Sequence, residues 1–175
     1  MTYQLHYVKP AFLSDKEEIA GDIWNKDLKL GSGKRYLIRA SSGKGKSSIV
    51  GYLFGTRKNY EGTISLNSET LEQITNQRWS ELRQQKLACM FQELRLFEML
   101  TVRENLQIKL NLQSTYSITE ATAWLDELGM HGFLDRTVNT LSLGQQQRVA
   151  LVRTLLQPME WLLLDEPFSH LDEKN

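Results

Sequence analysis

Between two apolar stretches, YLI at 36–38 and IVGYLF at 49–54, the chain reads ASSGKGKSS. Four serines, two glycines and two lysines in nine residues suit neither a strand interior nor a helix interior. The chain must therefore pass from one regular element to another through a loop of small side chains. Such a loop lets main-chain N–H groups come close to a ligand. A helix that follows it aims its unpaired N–H groups and its dipole at the same place, which favours an anion. The pattern predicts a short strand over Tyr36–Arg39 and a helix over Ser47–Phe54 ended by Gly55.

Gly45, Lys46 and Ser47 match the end of the phosphate-loop pattern G-x-x-x-x-G-K-[ST], with Ala40 in place of the first glycine. An alanine is tolerated there if φ is negative and a methyl has room. On this reading Ala40, Ser41, Ser42, Gly43, Lys44, Gly45, Lys46, Ser47 and Ser48 cradle the phosphates of a nucleotide. Lys46 reaches the β- and γ-phosphates, and the Ser47 hydroxyl binds Mg²⁺.

A second block, LSLGQQQRVALVRTLLQPMEWLLLDEPFSHLD, occupies 141–172. WLLL at 161–164 reads as a central strand buried on both faces. It delivers Asp165 and Glu166 at its C-terminal end, where ligands of parallel sheets gather. Neighbouring strand residues point opposite ways, so the two carboxylates take different tasks. Asp165 holds Mg²⁺ through water, and Glu166 polarises an attacking water as general base. The helix before this strand is expected over Gln145–Leu156.

Elsewhere, Thr2–Val8 alternates with Tyr3, Leu5 and Tyr7 on one side, and both tyrosines read as core packing. Leu28 and Leu30 mark a strand before the turn Gly31-Ser32-Gly33, and TISLN at 63–67 and Leu87–Phe91 mark two more. Thr101 and Glu104 form a capping box ahead of one helix. A second runs Ile118–Leu128 and is closed by Gly129. Lys plus Arg and Asp plus Glu both number 21, so no global field draws nucleic acid. Arg78, Arg83 and Lys86 alternate with Glu81 and glutamines as a solvated helix face. His6, His131 and His170 lack metal-ligand spacing, and the single cysteine, Cys89, reads as a buried thiol in a reducing compartment.

Taken together, these motifs resemble the ATP-binding cassette (ABC) ATPases. LSLGQ at 141–145 is similar to the family signature LSGGQ, with Leu143 at its third position. SHLD at 169–172 resembles the D-loop, and CMFQELRLFEMLTVRENL at 89–106 the Q-loop region, with Gln92 as the lining glutamine. The resemblance implies an α/β fold: a P-loop NTPase core with an N-terminal antiparallel β subdomain and an inserted helical subdomain. It places the core at 1–92 and 141–175 and the helical subdomain at 93–140, all within one ABC ATPase domain of residues 1–175. It further implies ATP and Mg²⁺ as ligands and a homodimer or pseudo-dimer on ATP binding. Ser142, Gly144 and Gln145 would face the partner's nucleotide. Gln92 would act with Glu166 in catalysis, touch Mg²⁺ or water, and report nucleotide state to an integral-membrane permease. Phe12 is the candidate to stack on adenine.

The expected function is that of the ATPase subunit of a transporter, cytoplasmic and held on the inner face of the membrane through its permease. FQELRLFEMLTVRENLQIKL is similar to exporters of the lipoprotein-releasing and macrolide type. The alternative is a soluble ABC ATPase of DNA repair, chromosome maintenance or translation. The stretch from Gln92 to Ser142 is too short for a long coiled-coil insertion, and only one cassette is present. A non-catalytic regulator is disfavoured by Lys46, Ser47, Asp165 and Glu166. In the family a strand with a switch histidine follows the D-loop. None is recognisable before Asn175, so the chain is expected to be truncated at its C-terminus.

Overall fold

A computed structural model describes residues 1–13, 22–113 and 115–167. The D-loop stretch 169–172, with His170, lies outside the described residues. The chain divides into two compact units, residues 1–82 and 83–175.

The first unit is built on an antiparallel sheet in the order β2-β1-β3-β4. Its strands are β1 (Thr2–Pro10), β2 (Leu28–Gly31), β3 (Tyr60–Leu66) and β4 (Glu69–Thr70). Helix α1 (Lys46–Leu53) follows the glycine-rich loop, and α2 (Asn76–Gln85) closes the unit. Tyr3, Leu5 and Ile64 from the sheet are buried, as are Ile49, Tyr52 and Leu53 from α1. The Tyr3 hydroxyl donates to the Leu53 carbonyl at 2.7 Å, so this aromatic is both packed and hydrogen-bonded.

Two expectations fail in this unit. Tyr7 is 56% exposed rather than packed, and Val8 takes the buried position. The cause is a bulge: His6 pairs with Thr63, but Lys9 pairs with Glu61, so β1 carries one extra residue and its alternation reverses. Tyr7 adopts φ +48°, and Gly62 (φ +85°) lies opposite. A Cβ on Gly62 would stand 2.4 Å from the Tyr7 carbonyl oxygen, so only glycine fits against the bulge. The strand expected over Tyr36–Arg39 is also not formed, and Leu37 is exposed. A strand needs a neighbour's hydrogen-bond ladder, and the four strands of this unit pair among themselves.

The second unit contains the parallel pair β5 (Leu87–Met90) and β6 (Trp161–Leu164), joined in register from Leu87↔Trp161 to Met90↔Leu164. Between them come α3 (Val102–Gln113), α4 (Ile118–Glu127), a short 3₁₀ turn (Val138–Thr140) and α5 (Leu143–Leu155). The helices close around Val102, Leu106, Leu125, Val149, Val152 and Leu156. Burial alternates along β6, with Trp161 and Leu163 buried and Leu162 and Leu164 half-buried, instead of covering both faces as expected. Among the described residues β6 has one strand neighbour, β5.

Capping chemistry sets where the helices begin. The Glu104 carboxylate accepts the Thr101 N–H at 2.7 Å, and the Thr101 hydroxyl accepts the Glu104 N–H at 3.2 Å. Ser117 and Glu120 do the same for α4. Helix α5 starts two residues earlier than the sequence pattern suggests, because Ser142 is its N-cap and Gln145 closes a capping box.

Candidate functional site: a phosphate loop and an acidic strand end

In the first unit, the loop before α1 turns at Gly43 (φ +78°) and Gly45 (φ +90°), both in the left-handed region that favours glycine. Gly45 is the N-cap of α1, which has no side-chain cap and no acidic residue in its first turn. The helix end therefore keeps its positive character towards the loop. Ala40 is not among the residues with positive φ, so the departure from glycine adds no backbone strain.

Lys46 Nζ donates to the Ala40 carbonyl at 2.8 Å and to the Ser41 carbonyl at 3.3 Å. The ammonium is thus held at the mouth of the loop, and a bound phosphate would compete for it with two main-chain oxygens. Ser41, Ser42, Gly43 and Lys44 are exposed, and Ser47 is half-buried at the start of the helix. Ser48 differs: it is buried, and its hydroxyl accepts from Arg57 at 3.3 Å. Its side chain therefore serves the body of the unit rather than the loop.

Trp24 carries no motif, yet it supports this loop. Its Nε1–H donates to the Lys44 carbonyl at 3.1 Å. A Cβ on Gly45 would meet Trp24 Cζ2 at 2.9 Å and Pro10 Cγ at 3.2 Å. An isolated tryptophan twenty residues upstream offers no local signal, so sequence reasoning passes over it. Phe12 lies just after β1 and is 55% exposed, which leaves its ring available to stack.

In the second unit, Asp165 continues the ladder beyond β6, its N–H donating to the Met90 carbonyl at 2.9 Å. Its side chain is only 6% exposed. Cys89 is half-buried rather than fully buried as expected, and desolvation, then the Asp165 charge, push its thiol up to about 12. The next residue, Glu166, is exposed and held at φ +50°. A non-glycine residue in that region costs on the order of 1–3 kcal/mol, and such residues gather at functional sites. Gln92 is exposed two residues past Met90, and Glu166 stands two past Leu164. Because Met90 and Leu164 are register partners, both side chains leave the same end of the parallel pair.

The signature residues stand at the start of α5. The Ser142 hydroxyl accepts the Gln145 N–H at 3.3 Å, and Gln145 Oε1 accepts the Ser142 N–H at 2.9 Å. Gln145 is therefore committed to the cap, while Gly144 lies in the first turn. Leu143 turns outward and is 47% exposed.

Each unit offers, by itself, one hard oxygen donor of the kind a divalent cation accepts. Mg²⁺ takes one or two protein oxygens and keeps several waters. The Ser47 hydroxyl in the first unit and the Asp165 carboxylate in the second are donors of that kind. Among the described residues no group of three or more His, Cys, Asp or Glu could form a metal cage. His6 and His131 are each occupied by an aspartate, Asp27 at 2.5 Å and Asp126 at 3.3 Å.

A family model described as ABC transporter matches residues 23–169. A thiamine import ATP-binding protein of Histophilus somni is 38% identical over 149 residues, covering 83% of this chain and 67% of that protein. An aliphatic sulfonates import ATP-binding protein of Bacillus cereus is 33% identical over 148 residues, covering 85% of this chain and 55% of that protein. The solved dimeric structure of a bacterial ABC transporter cassette superposes with a TM-score of 0.78 at 27% identity, over 99% of this chain and 77% of that one. A post-hydrolysis state of that cassette, bound to ADP and Pi, also gives 0.78, at 25% identity.

Proposed function

The chain belongs to the ABC transporter family, and from that premise we propose that it is an ATP-binding and ATP-hydrolysing subunit that drives a separate membrane permease of the importer type. The observation that carries this reading is the loop Ala40–Ser48, with two left-handed glycines and Lys46 at the uncapped N-terminus of α1.

Each residue has a task. The N–H groups of the loop and the start of α1 bind phosphate oxygens, and Lys46 neutralises the terminal phosphates. Ser47 and Asp165 would hold Mg²⁺, which would supply electrostatic stabilisation of phosphate charge. Glu166 takes the proton of the attacking water, and Gln92 orients that water. Phe12 stacks on the adenine. Ser142 and Gly144 serve the nucleotide of a second copy in an ATP-sandwich dimer, a reading supported by the dimeric cassette of similar fold. Leu143 adds bulk there without removing an N–H group.

The core is assigned to 1–92 and 141–175 and the helical subdomain to 93–140. Exposed Phe97 and Met99, the latter 80% accessible, follow Gln92 on the segment that would meet the permease. No helix among the described residues is long and apolar enough to cross a membrane. The proposed placement is on the inner membrane face through the permease. The relatives reported above are importer ATPases, and they lend no support to an exporter of the lipoprotein-releasing or macrolide type. Helices of 12 and 10 residues in α3 and α4 also disfavour the long coiled coil of chromosome-type ATPases.

The test is phosphate release from Mg-ATP together with fluorescent-nucleotide titration, using Lys46→Ala as the control. Nucleotide binding that depends on Lys46 supports the assignment. A chain that binds nucleotide equally well without Lys46 would overturn it.

A further inference from the structure

Arg153 lies near the C-terminal end of α5, the helix whose first turn carries the signature residues. Its Nη2 donates to two consecutive main-chain carbonyls, Leu94 at 3.0 Å and Arg95 at 2.8 Å. Both belong to the segment that leaves Gln92. Arg95 itself is held at φ +53°, and its guanidinium sits 3.7 Å from the centroid of the Phe91 ring. Phe91 and Arg95 thus close across Gln92. A left-handed non-glycine residue persists only when its surroundings over-determine it.

The remainder of the segment is fastened by a different helix. Asn105 of α3 is fully buried. It accepts the Phe97 N–H at 2.9 Å and donates to the Phe97 and Thr101 carbonyls, each at 3.0 Å. Before Gln92, Met90 accepts the Asp165 N–H. The backbone around Gln92 is therefore pinned at β6, at α3 and at α5, and Arg153 is the pin from α5. Burial works against the Arg153 charge, and Lys109 of α3 packs close enough for the two cations to repel. A cation is retained there because the two N–H bonds of Nη2 satisfy two carbonyl oxygens at once.

We propose that Arg153 is a positioning residue for Gln92, transmitting displacements of the signature helix α5 to residues 92–95 through its grip on the Leu94 and Arg95 carbonyls. This rests on the reading of Gln92 as the residue that orients the attacking water. Nucleotide bound against the start of α5 and the geometry around Gln92 are then linked by one side chain, a compact route for coupling occupancy to hydrolysis.

The experiment compares Arg153→Met, Arg153→Lys, Gln92→Ala and the Arg153→Met/Gln92→Ala double variant. In Arg153→Met, nucleotide affinity stays within about twofold, because the phosphate loop is untouched, while turnover falls about tenfold to a hundredfold as Gln92 loses its place. Arg153→Lys restores part of the loss, since it keeps the charge and the donors but its shorter, non-planar head does not reproduce the placement of the Nη2 pair. The double variant is no slower than Gln92→Ala, because the two residues act as one unit. Amide exchange of residues 91–97 rises about tenfold or more in Arg153→Met, with α3 and the remainder of α5 unchanged, a readout that needs no turnover. Exchange that rises equally along α3 and α5, or losses that multiply in the double variant, would make Arg153 a packing residue and overturn the inference. A slow Gln92→Ala beside a normal Arg153→Met would overturn it alone. Gln92→Ala with wild-type turnover would remove the reading of Gln92 and this inference with it.

Discussion

Trp24 and Gly45 occupy each other's space: a Cβ on Gly45 would come within 2.9 Å of Trp24 Cζ2, while the same indole donates to the neighbouring Lys44 carbonyl at 3.1 Å. The glycine-rich loop is thereby seated on an aromatic plate. Gly45→Ala meets both this contact and a φ of +90°, so it should abolish nucleotide binding. Trp24→Phe loses the hydrogen bond, worth about 1 kcal/mol, together with the outer part of the buried ring, so it lowers stability by more than about 1 kcal/mol. Denaturant melts and nucleotide titrations of the two variants should separate accordingly. Wild-type affinity in Gly45→Ala would show that the loop does not need this seat.

Lys46 and Ala40 make a second pair, the ammonium donating to the alanine carbonyl at 2.8 Å. Lys46→Ala removes the fixed cation of the loop, and a lost charge-assisted bond of about 2–3 kcal/mol weakens nucleotide binding on the order of a hundredfold. Ala40→Gly should restore the family pattern and gain nothing. Ala40 already has ordinary φ, so glycine only adds freedom to the unfolded chain and lowers stability by about 0.4–1 kcal/mol. Titration showing much tighter binding in Ala40→Gly would mean that the methyl obstructs the cradle.

What could be read beforehand was local. The Thr101–Glu104 box and the Gly129 stop are patterns a few residues long, and both appear as expected. Helix α5 starts ahead of Gln145, which reads as a first helical residue, because the Gln145 side chain reaches back to the Ser142 N–H and brings Leu143 and Gly144 into the helix. Features set by distant partners were hidden. Tyr7 faces solvent because Gly62, far along the chain, admits a bulge. Tyr36–Arg39 has strand-like residues but no ladder in its own unit. The roles of Trp24, Asn105 and Arg153 arise from contacts twenty, eight and fifty-eight or fifty-nine positions away, beyond the reach of any short motif.

Glu166 offers a test in which stability and activity move in opposite directions. Glu166→Gln keeps the shape of the side chain and removes the proposed base, so hydrolysis should slow by roughly 10²–10⁴-fold with nucleotide still bound. Glu166→Gly removes the proposed base and also relieves the left-handed strain at φ +50°, so it should melt higher by about 1 kcal/mol of stability. Phosphate release and thermal melts on both variants check this. A glycine variant less stable than wild type would mean that the Glu166 side chain holds the turn.

Cys89 reports on the acidic strand end through its proton. Burial first, and the Asp165 carboxylate second, push its thiol up to about 12, while Arg95 pulls weakly the other way. At pH 8 the folded thiol is neutral, so alkylation should run at least about tenfold slower than for an unfolded thiol, even allowing for the greater intrinsic nucleophilicity of a basic thiolate. Below the ordinary thiol value both states keep the proton, and the contribution to stability is fully present. As pH rises above it, the unfolded chain ionises first, so folding loses stability progressively towards pH 12. Asp165→Asn removes the negative neighbour, so alkylation at pH 9 should accelerate relative to wild type, whereas Glu166→Gln should leave it unchanged. Equal alkylation rates in Asp165→Asn and wild type, with both proteins folded, would show that burial alone sets the thiol and that the Asp165 charge is not felt at Cys89.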